Sequence, residues 1–223
     1  MSRPLFRPGW KPAFCGLLIW SCGAAWAAPA ATCDNALNPV QAGWVWTYRV
    51  TPGDIKKPTS SYALSRTGAG AEFQEQSMSA GKPVNTTRFS CAAGAQTSLT
   101  PPQLGDIKLT RAAVRGLGIA AAPDWKPGAT WSLIWDLEGR QSLLSGKATI
   151  TVRRQVINRE KVTVPAGTFD AWKVRGNLRV VGKLGPVPLN RDLGEFEEWY
   201  AEGVGLVKSS SSYSVTELMT LKK

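Results

Sequence analysis

The residue types in this chain that could support acid–base or nucleophilic chemistry fall into three groups. Asp192, Glu195, Glu197 and Glu198 crowd one stretch, and Asp136 lies two residues from Glu138 on one strand face. Carboxylates paired in this way serve glycoside hydrolysis or calcium binding. Ser79-Ala-Gly-Lys82 has the Ser-x-x-Lys spacing in which a lysine activates a serine. Against the first two groups, no Asp-x-Asp-x-Asp-Gly loop is present, and Glu195 and Glu197 have arginines near them to balance. Against the third, the match lies in a turn-like stretch with no helix pattern after it and no Lys-Thr-Gly partner. The 223 residues also contain no histidine. Its absence removes imidazole bases, Ser-His-Asp and Cys-His arrangements and His-ligated metal sites. The expectation is a chain that is not an enzyme, with no catalytic residue, no metal and no cofactor.

What remains is surface for binding. Trp125, Trp131, Trp135, Trp172 and Trp199 have two readings: core filling, or the wall of an apolar ligand cavity. Arg153, Lys173, Arg175 and Arg179 form a candidate basic surface, which is either a solvated outer face or a site for anionic envelope material. The chain carries 27 Lys+Arg against 16 Asp+Glu, a formal charge of +11. DNA would find such a surface attractive, but export and the lack of a recognition helix argue for no nucleic acid partner.

Export is read from residues 1–27. Arg3, Arg7 and Lys11 form a positive head, Ala13–Trp20 a short apolar run, and Ala25-Trp26-Ala27 a small-residue cleavage site. The run is too short for a spanning helix, which needs about 20 residues, so no transmembrane segment is expected in the mature protein. An alternative takes Ile19-Trp20-Ser21-Cys22 as a lipoprotein box, with a lipid anchor on Cys22. Either way the chain is expected in the periplasm, the cell envelope or outside the cell. Cleavage leaves 196 residues with 24 cations and 16 anions, enough for one core. It also leaves Cys33 and Cys91, with 57 residues between them. Two cysteines in an exported chain usually pair as a structural disulfide, and a redox couple would favour a close Cys-x-x-Cys spacing.

These groups are positioned by strands. Residues 28–40 read as a mobile N-terminal arm until Cys33 pins it, and residues 41–223 as a single antiparallel β domain. In Gly43–Val50, Trp44, Trp46, Tyr48 and Val50 alternate with polar or smaller residues. Shorter strands are expected at Tyr62–Arg66, Glu72–Ser77 and Asn85–Cys91. Residues 97–128 are too rich in Gly and Pro for long elements and too apolar for a linker; they read as a covering flap, with one helical turn at Arg111–Arg115. Trp131, Leu133, Trp135 and Leu137 share a face of a strand that Gly139 should end. Ala148–Ile157 follows, with Arg154 the misfit on its apolar face. Lys161–Val164 then enters a tight turn at Val164-Pro165-Ala166-Gly167. Trp172, Val174, Leu178 and Val180 alternate with Lys173, Arg175, Asn177 and Arg179 along Phe169–Val181, about 40 Å of strand. Glu195–Ala201 and Gly205–Leu218 should close the chain as a hairpin.

Three stretches carry a resemblance. Asn38-Pro-Val-Gln-Ala-Gly-Trp-Val-Trp-Thr-Tyr48, Val164-Pro-Ala-Gly-Thr-Phe169 and Trp199-Tyr-Ala-Glu-Gly-Val-Gly-Leu-Val-Lys208 resemble, in order and spacing, motifs of a group of exported bacterial proteins of unknown function. Trp125-Lys-Pro-Gly-Ala-Thr-Trp131 resembles a further shared element. That group is similar to the LolA/LolB-like superfamily, and the resemblance implies a half-open antiparallel barrel around a covered apolar cavity, with no enzyme chemistry. The expected fold is therefore mainly β, a curved antiparallel sheet or half-open barrel with few or short helices. The expected function is non-catalytic binding of a lipid or other hydrophobic small molecule in the cell envelope. The alternative is a structural or interaction module with a self-filled core and a basic surface.

Overall fold

A computed structural model describes residues 32–223. The expected export segment, with Cys22, and the first residues of the arm lie outside the described residues. Twelve strands form one antiparallel sheet: β1 Val45–Pro52, β2 Ser60–Ala69, β3 Glu72–Ser79, β4 Lys82–Ala92, β5 Ala95–Ser98, β6 Lys108–Gly116, β7 Thr130–Gln141, β8 Leu144–Val164, β9 Gly167–Leu184, β10 Val187–Ala201, β11 Gly205–Ser211 and β12 Ser214–Lys222. The sheet order is β5-β4-β3-β2-β1-β12-β11-β10-β9-β8-β7-β6, with every strand paired to its sequence neighbour except where β1 meets β12. The two edges, β5 and β6, then approach each other. Gln96 N–H donates to Ile119 O at 2.9 Å, Gly118 N–H donates to Gln96 O at 2.8 Å, and Thr97 Oγ1 donates to Gly116 O at 2.8 Å. The meander is thereby bent into a nearly closed barrel, which removes most of the exposed edge that an open sheet would leave.

Period-two patterning explains most of these strands. In β7, Trp131, Leu133, Trp135 and Leu137 are buried on one side while Ser132, Ile134, Asp136 and Glu138 alternate with them. Gly139 does not end the strand; it pairs with Gly146 and Leu109, and the Ile107 side chain lies where a β-carbon would stand. Here glycine permits close approach from above. Asn158 likewise ends nothing, because β8 runs through it with a bulge between Val156 and Asn158. Arg111–Arg115 is not a helical turn but the centre of β6, with Arg111 opposite Glu138 and Arg115 beside Asp136. A lone 3-10 turn, Ala122–Asp124, is the helix among the described residues. The expected last strand divides at Ser212-Tyr213 into β11 and β12. The Pro165-Ala166 turn is as expected, and Ala166 N–H donates to Leu218 O, folding this hairpin tip against β12.

The described part of the arm is packed rather than free. Asn35 Nδ2 donates to Gly94 O and Ala120 O, Leu37 is 1% exposed, and the Gly203 N–H donates to Ala36 O. Asn38 Nδ2 donates to Gln96 Oε1, Gln96 Nε2 donates to Cys33 O and Asn38 O, and Arg66 donates to Pro39 O. Residues 33–39 thus form a floor bonded to β2, to the β4–β5 turn, to residue 120 and to the β10–β11 turn. The Cys33–Cys91 disulfide fastens it, with the α-carbons 5.1 Å apart.

Gly116, at the seam of the barrel, has φ +82°, and a β-carbon there would run into Ser132 O. Left-handed backbone and a fixed carbonyl neighbour together make Gly116→Ala expensive, by about 1–3 kcal/mol. Guanidinium denaturation of the variant measures it, and the Gly81→Ala variant, in open space at φ +75°, serves as the milder control.

Candidate functional site

Between the sheet and the segment 99–107 lies a cavity of ≈ 740 Å³. β7 contributes Leu133 and Trp135, β8 Ile150 and Val152, and β9 Leu178 and Val180, all from the apolar side of the alternation. Register explains why these six meet: Leu133 pairs with Val152 and Val152 with Leu178, while Trp135 pairs with Ile150 and Ile150 with Val180. Residues at directly opposed positions stand on the same face. The covering segment adds Leu104, Ile107 and Leu109, and Asn85 and Thr87 of β4 form a polar rim. The flap is therefore narrower than residues 97–128. Its flanks became β5 and β6, and only residues 99–107 remain irregular over the cavity.

A second chamber of ≈ 430 Å³ meets the first at Ser98 and Leu133 and has a different character. Tyr48, Tyr62, Arg66, Glu75, Arg154 and Tyr200 line it. Arg66 Nη2 lies 2.8 Å from Glu75 Oε2, and Arg154 Nε donates to Glu198 Oε2 at 2.9 Å. Burial drives the Tyr62 phenol up to about 12, with Glu75 adding to the effect, and it raises Tyr48 and Tyr200 well above their ordinary values too. All three phenols therefore stay neutral at any physiological pH. Tyr48 Oη donates to Leu206 O at 2.7 Å. The interior thus changes from aliphatic to hydrogen-bonding along its length. Arg154, the misfit of the sequence pattern, faces this polar chamber with its charge matched.

Of the five candidate tryptophans, Trp135 lines the cavity. The Trp125 and Trp131 rings pack at a tilt of 43°, 5.0 Å apart, beside the floor, with their indole N–H groups donating to Ala120 O and Gly118 O. Trp172 packs partly buried in the same cluster, with Arg159 5.7 Å above its ring. Trp199 donates to Glu160 Oε1 at 2.7 Å and lies between Lys173 and Lys208. That hydrogen bond is the main reason the Glu160 carboxyl sits below its ordinary value. Trp125, Trp131 and Trp199 tie the barrel together through indole hydrogen bonds, and Trp172 by packing.

The basic residues of β9 are matched by acids on β10. Lys173 Nζ is 2.9 Å from Glu197 and Arg175 Nη2 3.6 Å from it, while Arg179 donates to Asn190 and faces Asp192 across the ladder. Arg153 stands in the same face, opposite Asn177. The stripe is a mixed-charge face. A groove of ≈ 500 Å³ outside β6–β9 is similarly mixed, with Asp136, Glu138, Arg111 and Lys147 along it. Ser79 and Lys82 flank a two-residue hairpin turn, Ala80-Gly81, with φ of 49° and 75°, so the Ser-x-x-Lys spacing belongs to an exposed turn. Asp192 accepts from Gly194 N–H and from Asn177, and Glu138 from Lys147. Each carboxylate is thereby held below its ordinary range. Among the described residues no group of three His, Cys, Asp or Glu side chains is placed to hold a metal ion. No helix among them is long and apolar enough to cross a membrane.

The sequence had no signal for the polar floor. Asn35, Asn38 and Gln96 sit in segments with no periodicity, and only their partners reveal that they are buried.

Residues 142–221, essentially β8–β12, match the model of the DUF3108-like family. Two solved structures are similar in fold. One, from Bacteroides fragilis, is described as an exported protein with a YmcC-like fold; it is 19% identical, with a TM-score of 0.52 over 85% of this chain and 100% of that one. The other, described as a lipoprotein from Parabacteroides distasonis, is 19% identical, with a TM-score of 0.50 and the same coverage. No curated protein matches the chain.

Proposed function

We propose that this chain is an exported cell-envelope protein that binds an apolar or amphiphilic ligand inside its barrel without catalysing a reaction on it. The covered cavity carries this reading, because its volume lies in the range of small-molecule sites and its wall is mainly aliphatic, with polar groups such as Asn85, Thr87 and Gln103 around it. The tyrosine- and arginine-lined chamber joined to it favours a ligand with one polar end. The expected export segment and the two similar structures, an exported protein and a lipoprotein, support the envelope location, and the resemblance to LolA/LolB-like half-barrels supports the cavity.

Native mass spectrometry of gently purified protein is expected to show a hydrophobic adduct. Titration of delipidated protein with a long-chain fatty acid should change the emission of Trp135. Leu178→Trp puts a large ring into the cavity from β9 and should weaken that binding about tenfold or more, equivalent to about 1.4 kcal/mol, with the far-ultraviolet spectrum retained. Bare protein in the mass spectrum and no response across fatty acids, phospholipids and carotenoids would sink the proposal in favour of a module whose side chains fill its own core.

A further inference from the structure

One end of the barrel carries solvated aliphatic side chains that the cavity does not use. The β7–β8 turn places Leu143 at its apex, 98% exposed, with Leu144 beside it at 45%. The β9–β10 turn, Gly185-Pro186, is followed by Val187 at 56%, and Pro186 and Pro188 are exposed on either side. Turn apices usually carry Gly, Asn, Asp or Ser. Neither turn requires leucine or valine for its geometry, since Ser142 and Gly185 supply the positive φ angles.

The two tips form one patch. Gly146 of β8 pairs with Leu184 of β9, Gly185 N–H donates to Ser145 O at 2.8 Å, and the Leu144 side chain lies against Gly185. The patch is contiguous with the flap, because Leu104, Ile107 and Leu109 meet Leu184 and Leu189 across a small apolar cleft.

Its charge is one-sided. The two hairpin ends, residues 139–147 and 180–191, contain no Asp or Glu, with Glu138 and Asp192 bordering them. Lys147 is neutralised by Glu138. Arg140 and Lys183, next to the tips, and Arg191, further along β10 opposite Val180, have no ion-pair partner among the described residues. Aliphatic apices ringed by unpaired cations complement a surface that is negative outside and hydrocarbon beneath, where each Lys or Arg gains from the lipid potential and each buried methylene from transfer.

We propose that the paired β7–β8 and β9–β10 turns are a membrane-docking tip, with Leu143, Leu144 and Val187 entering the acyl boundary of an anionic bilayer and Arg140, Lys183 and Arg191 at its headgroups. This surface is independent of the cavity reading, since a tip can dock with the cavity empty.

The test uses the full chain carrying Cys22→Ala, so that no acyl anchor on that residue contributes. It is sedimented with vesicles of phosphatidylcholine alone or mixed with phosphatidylglycerol. Binding is expected on the anionic vesicles, falling with added salt. Leu143→Asp with Val187→Asp should weaken partitioning about tenfold or more, and Arg140→Glu with Lys183→Glu should erase the preference for anionic lipid. All four positions are exposed, and a circular dichroism spectrum confirms the fold. A polarity-sensitive fluorophore on Leu143→Cys should shift to the blue with anionic vesicles. Parent protein that ignores those vesicles, a double-aspartate variant that sediments like the parent, or an unshifted fluorophore each overturns the proposal; tips that meet a protein partner instead would give the first and last of these.

Discussion

Arg154→Ala is expected to lower the stability of the fold by about 3–5 kcal/mol, the usual consequence of stranding one member of a buried ion pair. Arg154 and Glu198 have side chains only 15% and 12% exposed and share two contacts, at 2.9 and 3.4 Å. Burial alone would lower the Arg154 pKa, yet the neighbouring Glu198 carboxylate leaves it above its ordinary value. Removing the guanidinium leaves that carboxylate in a chamber of tyrosines and the Phe196 ring, which lies 5.3 Å from Arg154 Cζ. In the variant, a proton on the Glu198 carboxylate would remove the buried charge that has lost its partner, so acid relieves the folded form. The defect should therefore be largest at neutral pH and shrink as pH falls into the carboxylate range. The double replacement Arg154→Met, Glu198→Leu removes both charges and should return most of the stability. Urea denaturation at pH 7 and pH 4.5 measures all three variants. A small, pH-independent loss in Arg154→Ala would mean that the pair is hydrated and stabilises little.

The same residue marks where sequence patterning reaches its limit. Ile150, Val152 and Val156 alternate as a half-buried strand should, and β1, β7, β9 and the Val164–Gly167 turn follow equally simple rules of period and turn chemistry. Patterning of this kind reports that a face is turned inward; it does not report what waits there. Arg154 breaks the pattern because its partner is on β10, forty-four residues away in sequence. Gly176, inside the cleanest alternation of the chain, looks neutral until the Phe196 ring is seen to occupy the space a β-carbon would need. Gly139 and Asn158 carry the ordinary signs of strand ends, yet the first admits Ile107 and the second follows a bulge, both consequences of tertiary contact. β6 was illegible for a similar reason. It is an edge strand with Lys108, Arg111 and Arg115 along it, a charged edge of the kind sheets use to prevent further pairing, and such charges hide the period of two. The cavity was legible in kind, since an excess of inward aliphatic residues and an apolar irregular segment implied a covered hollow. Its walls were only partly so: large aromatic rings are the obvious candidates for a wall, but Trp125 and Trp131 spend their indole N–H groups on the carbonyls of Ala120 and Gly118, and Trp199 donates to Glu160.

That floor is the basis of the second large effect. Reduction of the Cys33–Cys91 bond, or Cys33→Ser with Cys91→Ser, is expected to cost about 4 kcal/mol on the chain-entropy account of a loop spanning 58 residues. At this chain length that corresponds to roughly 8–16 °C in Tm. The native state suffers as well as the unfolded one gaining freedom, because Asn35, Asn38 and Gln96 exchange buried hydrogen bonds with backbone that the bond holds in place. If residues 33–39 lift away, Gln96 and the carbonyl of Gly94 lose partners inside the barrel, and each such orphan costs about 1–3 kcal/mol, while Ala120 O keeps Trp125. The loss should therefore exceed what loop entropy alone supplies, and hydrogen exchange should rise first at Gly94 and Gly203, whose N–H groups donate to Thr32 O and Ala36 O. Thermal melts of oxidised protein, reduced protein and the double serine variant provide the comparison. Coincident melts would show that the floor stays in place through its asparagine and glutamine contacts without the covalent staple, whereas a large shift confined to the reduced and serine forms assigns the closed end of the barrel to the disulfide.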